Sequence, residues 1–179
     1  MINGEITLRL GAVRGGDRAA FEELYTGLKI PVYTIIYRVT WDRAASEDIL
    51  QEVFIKLFLS PPGEPVSNPR AYIFRMARNL AIDSVRKRDR HIPLDEIQED
   101  APPFGEAPPF DDSVSLRVDI EDALRRLPPD ECEIVTLHII GELKFREISG
   151  IMKIPLGTAL WKYRKAVGKL QKMLSGGMD

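Results

Sequence analysis

The feature that most constrains this chain is an acidic, proline-rich strip near its middle. Residues 91–115, HIPLDEIQEDAPPFGEAPPFDDSVS, contain seven acidic residues and five prolines, and neither lysine nor arginine. Prolines lack the N–H group that regular structure needs, and like charges repel one another, so an extended linker is expected. We therefore predict two domains, at 1–90 and 116–179, joined by a linker over 91–115.

Apolar residues recur at intervals of three and four on both sides of this strip, without the alternation that is typical of strands. The pattern predicts an all-α fold. In the second domain a short helix, a break and a longer helix follow one another, which is the order of a helix-turn-helix. The predicted helices cover 17–28, 31–41, 45–59 and 69–88 in the first domain, and 116–126, 129–140, 144–152 and 156–174 in the second.

Composition excludes several classes of function. The single cysteine, Cys132, cannot form an internal disulfide, and neither it nor His91 and His138 has the spacing of zinc ligands. We expect no metal, no cofactor and no enzymatic activity, since neither a glycine-rich phosphate loop nor a Ser/His/Asp set is found. Without a signal-peptide layout or an apolar run near the roughly 20 residues of a membrane helix, we expect a cytoplasmic protein with no membrane insertion.

The predicted helix at 45–59 has two distinct faces. On a helical wheel, Asp48, Gln51 and Glu52 lie on one face, together with the apolar Ile55 and Leu59. This face is either a solvated acidic stripe with two incidental aliphatic residues or a docking surface with apolar side chains inside a polar rim. The opposite arc is the predicted core and contains Ile49, Leu50, Val53, Phe54, Leu57 and Phe58.

The predicted helix at 69–88 combines cations with an aromatic ring. Tyr72, Arg75, Asn79 and Arg86 fall within about 60° of one another on the wheel. Cations can follow phosphates while a ring or guanidinium stacks on a base, so the face is typical of single-strand binding. Alternatively, the cations at 86–90 only complement the helix dipole, which leaves Tyr72, Arg75 and Asn79 unexplained. The predicted core face contains Ile73, Ala77, Leu80 and Ser84.

The last predicted helix carries a tryptophan among lysines. Trp161 lies near the middle of a cationic face that could attract duplex phosphates, and its first turns could reach base edges. Alternatively, the indole lies across its own lysine stems in a cation–π contact, or another domain covers it. The opposite arc is apolar and contains Leu156, Ala159, Leu160, Tyr163, Ala166, Val167, Leu170, Met173 and Leu174.

The string SEDILQEVFIKL at 46–57 resembles the polymerase-docking helix of extracytoplasmic-function (ECF) sigma factors, a bacterial subfamily of the sigma-70 family. In that family the exposed face of this helix binds the clamp helices of the largest catalytic subunit of RNA polymerase. The resemblance implies that four residues dock on the polymerase: Asp48, Gln51, Glu52 and Ile55.

The string PRAYIFRMARNLAIDSVRKRDR at 69–90 resembles the promoter-melting helix of the same family, with Tyr72 in the place of the usual tryptophan. In relatives this helix and the loop before it, here 60–69, hold the unpaired minus-10 strand and a flipped base. The resemblance implies minus-10 contacts by Tyr72, Arg75, Arg78, Asn79, Arg86 and Lys87.

The second domain resembles the family's minus-35-binding helix-turn-helix. Cys132, Ser149 and the string ALWKYRKA depart from its pattern, which is matched at Leu124, Leu127, Pro128, Ile134, Glu147, Ile148, Pro155, Gly157, Thr158 and Ala166. Leu160 and Trp161 replace residues that are commonly polar in the family. Two consequences are possible: a changed sequence preference through apolar contact with thymine methyl groups, or weaker binding to duplex DNA. By the resemblance the minus-35 contacts are Thr158, Leu160, Trp161, Lys162, Arg164 and Lys165.

These resemblances together imply a sigma factor that directs core RNA polymerase to promoter DNA, melts the minus-10 element and contacts the minus-35 element. They also imply an anti-sigma partner. The acidic linker could act as a nucleic-acid mimic against basic channel walls of the polymerase. Two alternatives are a helix-turn-helix regulator that is not a sigma factor, which the docking helix argues against, and a sigma-like adaptor without independent minus-35 binding.

Overall fold

The computed structural model describes residues 1–63, 66–91 and 114–175, and these contain eight α-helices and no strand. The all-α prediction is confirmed. Most of the predicted linker and part of the predicted loop at 60–69 lie outside the described residues. The helices are α1 (Asn3–Arg14), α2 (Arg18–Thr40), α3 (Arg43–Leu59), α4 (Pro69–His91), α5 (Val114–Arg125), α6 (Pro129–Ile139), α7 (Phe145–Met152) and α8 (Leu156–Ser175).

Helix α2 runs through the middle of the N-terminal bundle, which we define as α1–α4. The sequence predicted two helices here with a break before Pro31, and this was wrong, because α2 is continuous. An interior proline costs a helix roughly 3 kcal/mol. Leu28 and Val32, on either side of Pro31, are both fully buried, and packing of this kind offsets the cost at about 1.5–3 kcal/mol per side chain.

Helix α1 was not predicted, although its spacing carried a signal. Ile6, Leu10 and Val13 are buried against the bundle and recur at intervals of four and three. Helix α1 packs on α2 and α4. Its buried side chains Ile6 and Leu10 therefore join the apolar core of the bundle.

Helix α4 is rotated relative to the predicted core face. Phe74 and Ala81 are fully buried together with the predicted Ile73 and Ala77, whereas Leu80 and Ser84 are only half-buried. The reason is that α4 packs against α1, α2, α3 and α7 at once, so its buried arc is wider than two helices would make it.

The C-terminal bundle, α5–α8, contains the predicted helix-turn-helix. Helix α7 ends at Lys153 in the left-handed conformation (φ 55°), and α8 begins directly after Pro155. His138 of α6 stacks on Phe145 of α7 at 4.3 Å between ring centroids, and Tyr163 of α8 contacts both rings. Helices α6, α7 and α8 are thus held together by one aromatic cluster.

The two bundles pack against each other. Helix α6 lies on α2, and α7 lies on α4. Ile134, Leu137 and Ile148 of the C-terminal bundle are fully buried in the same apolar cluster as Ile73 and Phe74 of the N-terminal bundle. The contact between the bundles therefore excludes water as a domain core does.

Candidate nucleic-acid and protein interfaces

The predicted docking residues share one open face of α3. Asp48, Gln51 and Glu52 are exposed, and Ile55 keeps 54% of its surface accessible. Leu59 extends this face by one turn and is also exposed. The face therefore combines carboxylates, an amide and aliphatic side chains that the described part of the chain leaves uncovered.

Phe58 was predicted to be in the core and is instead 37% exposed. It lies in the last turn of α3, where the ring of Phe21 of α2 contacts it at 4.9 Å between centroids. Its free edge adds aromatic surface beside Ile55 and Leu59. The sequence missed this because a helical wheel does not show where a neighbouring helix ends.

A cleft of about 310 Å³ lies between α3 and α4 and brings three of the predicted minus-10 residues together. Tyr72, Arg75 and Asn79 of α4 line it, and Lys56 of α3 forms its opposite wall. The ring and the guanidinium are planes on which a base can stack, and the amide can form hydrogen bonds with a base edge. Arg86 and Lys87 are exposed further along the same helix.

Arg78 does not face this cleft. Its guanidinium forms two hydrogen bonds with the carboxylate of Glu133 on α6, one of them 3.2 Å between Nη2 and Oε2. The two side chains retain only 16% and 11% of their accessible surface. The structure thus separates Arg78 from the other predicted minus-10 residues and places it beneath the C-terminal bundle.

Trp161 lies on the outer face of α8 with 57% of its surface exposed. The Nζ of Lys165 is 4.8 Å from its ring centroid, so the indole lies against a lysine side chain and the described part of the chain does not cover it. Arg164 is exposed beside it, whereas Thr158 and Leu160 are half-buried.

Three lysines of α8 lie against carboxylates of α6. Lys162 forms an ion pair with Asp130, and Lys169 contacts Glu131 at 2.7 Å. Lys165 also lies 3.6 Å from Glu131. The sequence did not indicate these acidic partners. Acidic residues in the first turn of a helix are equally well explained by their favourable interaction with the helix dipole.

Comparison with known proteins agrees with this geometry. Residues 24–91 match the family model for sigma-70 region 2, and residues 117–169 match the model for sigma-70 region 4. RNA polymerase sigma factor CarQ of Myxococcus xanthus is 31% identical over 162 residues, which are 90% of this chain and 92% of that protein. ECF RNA polymerase sigma factor SigM of Bacillus subtilis is 30% identical over 74% of this chain and 82% of its own.

The chain belongs to the ECF subfamily of RNA polymerase sigma factors. It is a sigma factor, which directs RNA polymerase to promoters. ECF RNA polymerase sigma factor SigW of Bacillus subtilis is similar over nearly its whole length, at 29% identity over 94% of this chain and 96% of that one.

Solved structures show the same fold. Sigma factor RpoE of Bartonella quintana, solved with the anti-sigma factor NepR, aligns with a TM-score of 0.67 at 20% identity, over 87% of this chain and 96% of that chain. CnrH, solved with the cytosolic domain of CnrY, aligns with a TM-score of 0.65 at 15% identity, over 96% of this chain and 98% of that chain.

Within the described ranges, no group of three or more His, Cys, Asp or Glu side chains is arranged to hold a metal ion. None of the described helices has the length and apolar character needed to cross a membrane.

Asp130 of this sigma factor provides a test of the ion pair with Lys162. Burial of the carboxyl raises its pKa, but the hydrogen bond and charge of Lys162, together with hydrogen bonds from the backbone of Glu131 and Asp130, outweigh burial, so its pKa lies below the usual 3.8. The pair therefore stabilises the folded chain above about pH 3.8, and this contribution is lost as the pH falls through the lower folded pKa.

We expect Lys162→Met to raise the pKa of Asp130, because burial remains when the cation is gone. Carboxyl carbon NMR titration measures this directly. Lys172→Met, which removes an exposed lysine of the last turn of α8, is the control and should leave the pKa of Asp130 unchanged. Equal pKa values for Asp130 in wild type and Lys162→Met would contradict the assignment.

Proposed function

We propose that this sigma factor docks on core RNA polymerase through the open face of α3, with Asp48, Gln51, Glu52 and Ile55 as the contact residues. The observation that carries this proposal is the exposed face of α3, which combines polar and apolar side chains. Helix α3 lies within the residues that match sigma-70 region 2. Partner surfaces have this composition, since apolar side chains supply most of the contact energy and the polar rim supplies orientation.

The cleft between α3 and α4 is the proposed site of the unpaired minus-10 strand. Tyr72 and Arg75 offer stacking surfaces and Asn79 offers an amide, and all three line one cleft of about 310 Å³. Arg86 and Lys87, exposed towards the end of α4, would contact the phosphates that follow. Arg78 would join these minus-10 contacts only when its partner Glu133 is displaced.

The exposed face of α8 is the proposed minus-35 contact. Arg164 and Lys165 supply charge for phosphates or guanines, and Leu160 and Trp161 supply apolar surface that fits thymine methyl groups. By the family resemblance, Thr158 and Lys162 would lie nearer the phosphates, although Lys162 is paired with Asp130 in this structure. Because Trp161 is uncovered in the described chain, it can reach a major groove without rearrangement of α8.

The wider assignments rest on the family. We place the domain boundaries at 1–90 and 116–179, with the acidic linker at 91–115 as the segment that enters the polymerase. The protein would act in the cytoplasm, where RNA polymerase is found, and nucleotide polymerisation would belong to the polymerase and not to the sigma factor. Two similar folds were solved with an anti-sigma factor or a cytosolic binding domain, which supports an anti-sigma partner for this chain.

The docking proposal is tested by run-off transcription with core RNA polymerase on fragments of the protein's own genome. We expect the double change Asp48→Ala and Gln51→Ala to reduce transcript yield about tenfold or more, since central interface residues each contribute above about 1 kcal/mol. The control is Glu22→Ala with Thr26→Ala, two exposed residues of α2. If the α3 double variant yields as much transcript as the control double variant, the proposed docking face is contradicted.

Trp161 and Lys165 should differ in how they affect duplex binding. Selection from randomised duplexes should show that Trp161→Ala relaxes the preference at one base pair, worth about 1–3 kcal/mol. Lys165→Ala should weaken binding to all sequences and lower the salt slope by roughly 1. Identical selected sequences for wild type and Trp161→Ala would remove the base-reading role of the indole.

A further inference from the structure

Three side chains lie in one row on α8, at successive intervals of four residues: Trp161, Lys165 and Lys169. Residues at this spacing are neighbours on the surface of a helix. Trp161 and Lys165 belong to the proposed minus-35 contacts, whereas Lys169, one turn further on, does not. The row therefore joins a proposed base contact to a lysine that has no assigned DNA contact.

The two lysines of this row share one carboxylate of α6. The Nζ of Lys165 is 3.6 Å from Oε1 of Glu131, and the Nζ of Lys169 is 2.7 Å from Oε2. Each oxygen of the carboxylate thus faces one lysine, and the lysines come from consecutive turns of α8. Glu131 therefore fixes where both ammonium groups lie relative to α6.

Burial makes Glu131 the fixed member of this group. Its side chain retains 4% of its accessible surface, whereas the side chains of Lys165 and Lys169 retain 46% and 33%. A buried carboxylate is tolerated in its charged form only while cations or hydrogen bonds compensate the lost water. The two lysine side chains are therefore held at Glu131 and do not extend freely into solvent.

Lys165 connects this fixed carboxylate to the indole of α8. Its Nζ is 4.8 Å from the ring centroid of Trp161, so one ammonium group contacts a buried carboxylate and an exposed ring at the same time. The face of an indole attracts a cation, which favours the ring orientation that covers Lys165. The orientation of Trp161 thus depends on where Glu131 holds Lys165.

The orientation of the ring decides what it can recognise in a duplex. Apolar contact with a thymine methyl group requires the ring at one place in the major groove. Trp161 is 57% exposed, so packing alone leaves it several side-chain rotamers. Ordering a mobile side chain on binding costs free energy, and a ring that is already oriented avoids much of this cost. A cation that fixes the ring therefore sharpens the preference for one base pair.

We propose that Glu131 is a positioning residue for the sequence preference of α8: through Lys165 it holds the indole of Trp161 in the orientation that meets a base pair. The proposal rests on the minus-35 role given to Trp161 above and adds a buried residue that acts without touching DNA. It also gives Lys165 a second role, because its charge attracts phosphates while its position supports the ring. Lys165→Ala should thus relax the preference at the same base pair in addition to weakening binding.

The test is selection from randomised duplexes by full-length variants. Glu131→Gln keeps the size of the side chain and removes the charge that holds Lys165. Asp130→Asn is the matched control, because it removes one charge from the neighbouring position of α6 and releases Lys162, which is not in the row of Trp161. Both variants release lysine charge on α8, and they differ in whether the link to the indole is broken.

We expect Glu131→Gln to weaken the preference at the base pair that Trp161→Ala identifies by about two- to fivefold, the range of an exposed cation–π contact. Its binding to duplexes of unrelated sequence should not weaken, since the released lysines add charge for phosphates. Asp130→Asn should keep the wild-type preference. Wild-type preference in Glu131→Gln, or an equal loss of its affinity for all duplexes, would overturn the positioning role.

A second readout follows the indole in the absence of DNA. The chain contains two tryptophans, so labelling with 5-fluorotryptophan gives one fluorine resonance each for Trp41 and Trp161, and Trp161→Phe assigns them. Glu131→Gln should shift the resonance of Trp161 and leave that of Trp41 in place, whereas Asp130→Asn should leave both. An unmoved Trp161 resonance in Glu131→Gln would overturn the proposal.

A variant that keeps the charge covers the case in which Glu131→Gln fails to fold. Glu131→Asp shortens the side chain by one methylene and draws the carboxylate back from Lys165, which is the more distant of its two partners. It should relax the same base preference and shift the same resonance. If it does neither, the positioning role is wrong.

The outcome is separable from that of the proposed function. A wild type that selects no duplex sequence would contradict the minus-35 role of α8, and the positioning role would fall with it. A wild type with a preference that Trp161→Ala relaxes and Glu131→Gln retains would overturn the positioning role alone.

Discussion

The apolar contact of α6 and α7 with α2 and α4 is the interaction on which the rest of the arrangement depends. Ile134, Leu137 and Ile148 are fully buried in it, and each side chain of this size contributes about 1.5–3 kcal/mol. Because this contact excludes water, the pairs Arg38–Glu121 and Arg78–Glu133 beside it are also largely desolvated. Such pairs mainly fix how the two bundles sit on each other. The loss of either partner is costly, because it leaves a buried charge without compensation.

This contact divides the functional surfaces into two groups. The face of α3 and the cleft with Tyr72 remain open in the closed chain, and both are available to a partner without movement of the bundles. Arg78 belongs to the second group, because its guanidinium is paired with Glu133 of the C-terminal bundle. Lys162 is also held by a carboxylate, but its partner Asp130 lies within the same bundle, so opening the bundles would not release it.

The sequence predicted the local features well because they depend on neighbours along the chain. Helical periodicity located α3, α4 and α6–α8, and the wheel placed Asp48, Gln51 and Glu52 on one face. Pro31 and Phe58 were misjudged because packing by other helices decides whether a proline is tolerated and where a ring is covered. The pair Arg78–Glu133 could not be predicted, since it joins residues 55 positions apart.

The most direct test of the central claim is whether the two bundles keep one fixed separation in the free chain. Spin labels at Thr26→Cys on α2 and Lys172→Cys on α8, in a chain with Cys132→Ala, report this separation by pulsed electron paramagnetic resonance. The account predicts one narrow distance distribution, because the apolar contact of α6 and α7 with α2 and α4 holds the bundles together. A broad distribution, as for two domains that move independently, would contradict it.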